Sequence, residues 1–143
     1  MLTPLNPQAR ATRLEVLRTE YMGQIAAAAI RQGRPLCVVP YVLAQPGAER
    51  HADLGLITSY ATRMGWQVAF SSFADIGQPL PLTRRPGFTA ACRYAAQGYA
   101  HGVLAIARAA LTTDDDSYAR VLEHLRERQV FLAHLPTLRE HTP

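Results

Sequence analysis

The chain has 143 residues, 48% of them hydrophobic and 18% charged, and its net charge of +4 comes from fifteen arginines without a single lysine. These values suit one globular domain that buries roughly 70% of its unfolded surface, and they exclude a highly charged disordered chain. No stretch reaches the ~18 consecutive apolar residues of a membrane span, and the opening Met-Leu-Thr-Pro-Leu-Asn-Pro lacks the basic and apolar regions of a secretory signal.

Asn6-Pro7 opens a predicted helix over 7–32, since asparagine caps and proline suits the first turn. Leu14, Leu17, Tyr21, Ile25 and Ala28 recur at helical spacing, and Gly33 with Pro35 ends the segment. This stripe, above all Leu14, Leu17, Tyr21 and Ile25, is a candidate interface, against the chain's own sheet or against a partner. Residues 36–43 run apolar without alternation, as a central strand buried on both faces does. A helix follows from Ala48 to Met64, with Leu54, Ile57, Ala61 and Met64 expected on its inner side. Trp66–Phe73 alternates apolar with polar and reads as a second strand, followed by a loop over Ala74–Arg85.

Pro86 opens another helix that runs to Gly98, and His101–Ala107 supplies a third strand. Thr113 is the predicted cap of the next helix, with Asp114, Asp115 and Asp116 in a first turn where the dipole favours negative charge. Val130–Leu135 is the last strand, and the tail from Pro136 is expected to be loose. Strands alternate with helices, so the expected fold is an α/β three-layer sandwich with a mostly parallel four-stranded sheet and an extra N-terminal amphipathic helix. The expected boundaries are 1–35 for the helical extension, 36–135 for the α/β domain and 136–143 for the tail.

The candidate anion- or phosphate-binding residues are arginines. Arg84, Arg85 and Arg93 surround the helix start at Pro86, where backbone amides attract phosphate; Arg85 can equally pair with Asp75 and hold the preceding loop. Arg108 stands at the end of the third strand, and strand ends of parallel sheets face the ligand crevice. A new active site there would require Asp75, Arg85, Arg108 and Asp114 to converge. His51, His101, His124, His134 and His141 lack metal-ligand spacing, so no metal is expected. The loop after the first strand offers only Gly47, which argues against a nucleotide cofactor. Cys37 and Cys92 lie in apolar runs and are expected as buried thiols, which with the absence of a signal points to the cytoplasm.

Several short motifs resemble one family. Tyr60-Ala61 with Gly65-Trp66-Gln67-Val68, then Phe73-Ala74-Asp75-Ile76-Gly77, then Arg85-Pro86-Gly87-Phe88 are similar in order and spacing to the catalytic domain of serine recombinases, the resolvase/invertase family. Arg85-Pro86-Gly87-Phe88 is the most specific of these matches. His101-Gly102-Val103-Leu104-Ala105-Ile106 and Leu111-Thr112-Thr113-Asp114 continue the resemblance, which covers about 100 of the 143 residues.

That resemblance implies a serine nucleophile and an arginine cluster, because phosphoryl transfer depends on positive charge placed where negative charge accumulates. Aligned through Tyr60-Ala61, the nucleophile position falls on Leu43 and a neighbouring arginine position on Tyr41. Further arginine positions fall in Ala109-Ala110-Leu111-Thr112-Thr113, and Arg85 alone stays in register. An aliphatic side chain cannot attack phosphorus. The expectation from sequence is therefore no catalytic residue, no enzyme activity and no cofactor. It is a domain acting through protein contacts, as a homodimer or with another protein, in a regulatory or assembly role. The family's long helix and helix-turn-helix unit after this domain are not seen before Pro143, so sequence-specific DNA reading is not expected. The alternatives are non-specific nucleic-acid binding through arginine–phosphate contacts, without membrane association, and an enzyme of another class.

Overall fold

The computed structural model describes residues 6–76 and 80–136. The predicted loose tail lies outside them, apart from Pro136. Among the described residues there are five α-helices and five strands. They are α1 (Pro7–Arg31), β1 (Cys37–Leu43), α2 (Ala48–Arg63), β2 (Gln67–Val68), β3 (Phe73–Asp75), α3 (Pro86–Tyr94), β4 (Gly102–Ala105), α4 (Arg108–Leu111), α5 (Asp115–Glu127) and β5 (Phe131–His134). Every described strand pairing is parallel, in the order β2-β1-β4-β5, with β3 also beside β1. Among the described residues, no helix is long and apolar enough to cross a membrane.

The sheet has five strands where the sequence predicts four, and one proline accounts for the difference. In a parallel ladder, successive residues turn their backbone groups to opposite neighbours. Leu36 and Val38 accept from Gln67 and Ala69 on the β2 side, Ala44 donates to Asp75, and Cys37 accepts from His101 on the β4 side. Pro40 therefore faces the β2–β3 side, where it has no N–H to offer. The neighbouring strand leaves the ladder there: β2 pairs with Cys37 and Val38, β3 with Tyr41 to Leu43, and Ala69–Ser72 bulges between them. The predicted strand over Trp66–Phe73 is thus two short ones, and the loop predicted from Ala74 begins after Asp75.

The core has two halves, one on each face of the sheet. Val39, Tyr41, Val103 and Leu132 pack against Phe88, Ala91, Leu111, Tyr118 and Leu122 on the face covered by α3, α4 and α5. Val38, Val42, Leu104, Phe131 and Ala133 pack against Ile57 and Ala61 of α2 on the other. The α3 helix ends in a wider turn, Ala95–Tyr99, closed by Gly98 at φ 101°, a left-handed conformation that favours glycine. Asp114, not the predicted Thr113, caps α5, accepting from the Ser117 amide at 3.1 Å.

The α1 helix crosses the outer edge of β5. Leu14 and Tyr21 join the core half under α5, while Met22 and Ile25 join the half under α2. Leu14 and Ile25 are buried within the chain, and Leu17 and Tyr21 are partly so. An open strand edge presents unpaired carbonyls. Here the Arg18 guanidinium donates to the Leu132 carbonyl at 3.1 Å and pairs with Glu15. His134 Nε2 lies 3.4 Å from Glu15, and the Tyr21 hydroxyl donates to Glu123 of α5 at 2.7 Å.

Partial burial pushes the Glu15 carboxyl up, but His134 and Arg18 outweigh it and hold the group down at about 2, from an ordinary 4.5. A depressed folded value means that this stabilisation is complete above pH 4.5 and is lost as pH falls towards 2. The site is partly solvated, so the effect is modest, about 0.5–1 kcal/mol. Urea midpoints measured against pH will fall between pH 4.5 and 2 in the wild type. Glu15→Gln will be less stable at neutral pH and show a smaller fall across that window.

Candidate functional site

The C-terminal ends of the strands form the crevice where ligands of open α/β sheets bind. Leu43 stands there at the end of β1, paired with Asp75 of β3. Tyr41, Asp75 and Arg85 form a polar cluster close to this strand end, and Arg50 of α2 donates to the carbonyl of the adjacent Ala44 at 2.9 Å. The Tyr41 hydroxyl donates to Asp75 Oδ2 at 2.8 Å and accepts from Arg85 Nη1 at 3.4 Å. Arg85 also donates from Nε to the Leu80 carbonyl at 2.9 Å and from Nη1 to the Ala110 carbonyl at 2.8 Å. Tyr41 is wholly buried and Arg85 is only 4% exposed. Burial and the Asp75 contact drive the Tyr41 phenol well above its ordinary value, so it stays protonated as a donor.

Asp75 is the hub of this cluster. Its Oδ1 accepts from the Gly87 amide at 2.8 Å and its Oδ2 from the Phe88 amide at 2.9 Å. Those are the first amides that α3 can offer, because Pro86 has none. The helix start expected to attract phosphate already holds the protein's own carboxylate. The pairing of Arg85 with Asp75 expected from sequence is made through the Tyr41 hydroxyl.

This geometry also accounts for Arg85-Pro86-Gly87-Phe88. Arg85 is a buried strut that reaches three elements, and Pro86 sets the first helical turn. A Cβ on Gly87 would overlap the Ala74 carbonyl, so only glycine lets α3 sit against β3. Phe88 packs edge-on against Tyr41 with ring centroids 5.3 Å apart.

The four candidate arginines do not share a pocket. Arg84 is exposed on the short turn before α3, while Arg85 is buried. Arg93 lines a cleft between α3 and α5. Arg108 lies over the Tyr118 ring at 4.0 Å, pairs with Asp115 at 2.9 Å and borders a separate hollow of about 740 Å³ beneath α1 with Glu15 and His134. Asp114 is engaged as the α5 cap. Asp75 and Arg85 therefore meet, whereas Arg108 and Asp114 each have other partners. Among the described residues, no three His, Cys, Asp or Glu side chains gather as a metal site.

Sequence reasoning registered Tyr41 only as a replacement for an arginine and missed it as the bridge between Asp75 and Arg85. It also missed His124 and Arg128, which line the α3–α5 cleft opposite Arg93. Their i, i+4 spacing placed them on one helical face, but not the helix that they would meet.

Comparison with solved structures places this architecture. The chain superposes on the C-terminal catalytic domain of ISC1926 TnpA, an IS607-like serine recombinase, with a TM-score of 0.60 and 18% identity over 73% of each chain. It superposes on the N-terminal catalytic domain of TP901-1 integrase with a TM-score of 0.58 and 18% identity, over 73% of this chain and 78% of that one. No protein-family model matches the sequence, and no curated protein matches it. The sequence-based expectation that the chain is not an enzyme is corrected by these neighbours, since both are catalytic domains.

The Asp75 hub makes two predictions for urea denaturation. Gly87→Ala will destabilise the fold by about 3 kcal/mol, because backbone must move to admit the methyl group. Tyr41→Phe will cost about 1.5 kcal/mol, the worth of a buried hydrogen bond to a charged acceptor. The chain has the fold of a serine recombinase catalytic domain, with a five-stranded parallel sheet and an additional N-terminal helix across its β5 edge.

Proposed function

We propose that this serine-recombinase-fold domain works within an assembly through protein contacts, and that a second copy of the chain is its first partner. The observation that carries the reading is Phe70. It sits at the tip of the Ala69–Ser72 bulge, fully exposed, on the sheet edge formed by β2 and β3. Ile76 and Leu80, in the segment that follows β3, are each more than half exposed. Scattered apolar side chains are normal on a surface, but several large ones along one open edge favour an interface. A two-fold pairing would bring the same edge of each copy together, the commonest symmetry among soluble oligomers.

The α1 stripe supports this choice of surface by exclusion. Leu14 and Ile25 face the chain's own core, so that stripe is not free to meet a partner, whereas Phe70 at the β2–β3 edge is.

Sedimentation analysis over a range of concentrations tests the reading. The wild-type chain will show a reversible dimer, and Phe70→Glu will weaken it by tenfold or more, the effect of losing a central aromatic anchor. The substituted side chain is outside the core, so circular dichroism will be unchanged. A wild-type chain that stays monomeric throughout, or a Phe70→Glu chain that dimerises equally well, overturns the proposal.

A further inference from the structure

The Asp75 cluster stands at the strand ends, and a separate hollow lies between two helices. Between α3 and α5 there is a cleft of about 470 Å³. Its apolar lining comes from Leu82, Phe88, Val121 and Leu125, with Cys92 and Ala96 beside them. Thr83, Thr89 and Gln97 add neutral polar groups. Arg93, His124 and Arg128 are the ionisable groups of basic type in the lining, and among the described residues no carboxylate lines it.

Most of the described arginines have no acidic partner; what sets this cleft apart is that two of them line one hollow. Arg10, Arg18, Arg108 and Arg126 each have an acidic partner. Arg93 and Arg128 have none among the described residues. They come from two different helices and line one hollow. A helix dipole accounts for basic residues near each helix end. It does not account for two ends converging on an apolar cavity without a balancing acid.

We propose that this cleft binds a small organic anion: an apolar body seated on Phe88, Val121 and Leu125, with an anionic head held by Arg93 and Arg128. The volume argues for a small molecule. It lies in the range of ligand pockets, whereas a docked helix about 10 Å across would need a longer trough. The charge argues for an anion, because the exposed guanidinium groups of Arg93 and Arg128 stand at the rim of one apolar hollow, where they can meet an anionic head. Guanidinium forks bind carboxylate and phosphate heads alike. The site is separate from the Asp75 cluster and from the β2–β3 edge, so it stands or falls independently of the dimer reading.

The full-length chain and the anionic fluorophore anilinonaphthalene sulfonate provide the test. The expected result is one saturable site. Arg93→Ala and Arg128→Ala will each weaken it about tenfold, the effect of losing one charge-assisted contact. Arg63→Ala, on an exposed arginine of α2, will leave it unchanged. Ala96→Leu will reduce binding by filling the cleft. Decanoate and decyl phosphate, which separate a carboxylate head from a phosphate head, will displace the probe, while decyltrimethylammonium will not. Failure to bind the probe overturns the proposal. So does binding that ignores both arginine substitutions, or displacement by the cationic amphiphile as effective as by the anionic ones.

Discussion

A single carboxylate ties three elements of this fold together. Asp75 ends β3, accepts from the first two free amides of α3 and accepts a hydrogen bond from the Tyr41 hydroxyl on β1. Arg85 reaches the same hydroxyl and continues to the carbonyl of Ala110 in α4. An isolated buried charge is costly, and an arrangement in which every donor meets an acceptor removes that cost. Because α3 starts on Asp75, the position of that helix over the sheet follows from the register of β1 with β3. The tight seat of Gly87 on Ala74 follows from the same contact.

The cluster also separates two questions that the fold invites together. Both solved neighbours are catalytic domains, so the architecture is one on which catalysis occurs. In this chain, Tyr41, Asp75 and Arg85 are engaged with one another near the β1 end, and the Tyr41 phenol is held protonated. The side chains with free capacity lie elsewhere. Phe70 stands clear of the sheet edge, and Arg93 and Arg128 border the α3–α5 cleft.

The N-terminal helix has a comparable internal logic. A strand edge left open invites pairing with other chains, and polar side chains on a covering helix can satisfy its carbonyls. Arg18 does this for Leu132, and the Glu15 contacts hold the guanidinium in place. The stripe of Leu14 and Ile25 then divides between the two core halves, as a helix that wraps an edge requires. An amphipathic pattern in sequence says that one face must be covered. It does not say which surface covers it.

The element boundaries were legible from sequence because they rest on local chemistry: Asn6-Pro7 opening α1, Pro86 opening α3, the aspartates at α5, and an unbroken apolar run for β1. Arg85-Pro86-Gly87-Phe88 carries the resemblance that points to the architecture. Pro40 was equally visible, but its consequence was not. Only the direction of its missing N–H, set by pairing with β2 and β3 on one side and β4 on the other, splits the neighbouring strand and exposes Phe70. The same holds for Tyr41 with Arg85 and for Arg93 with Arg128. Their partners are 44 and 35 residues away, and periodicity along one element carries no information about which side chain of another will meet it. Sequence alone determined the order of the main helices and strands and which of their faces are apolar; the tertiary structure decided where the second strand divides and which polar groups meet, because both depend on the packing of elements remote in the chain.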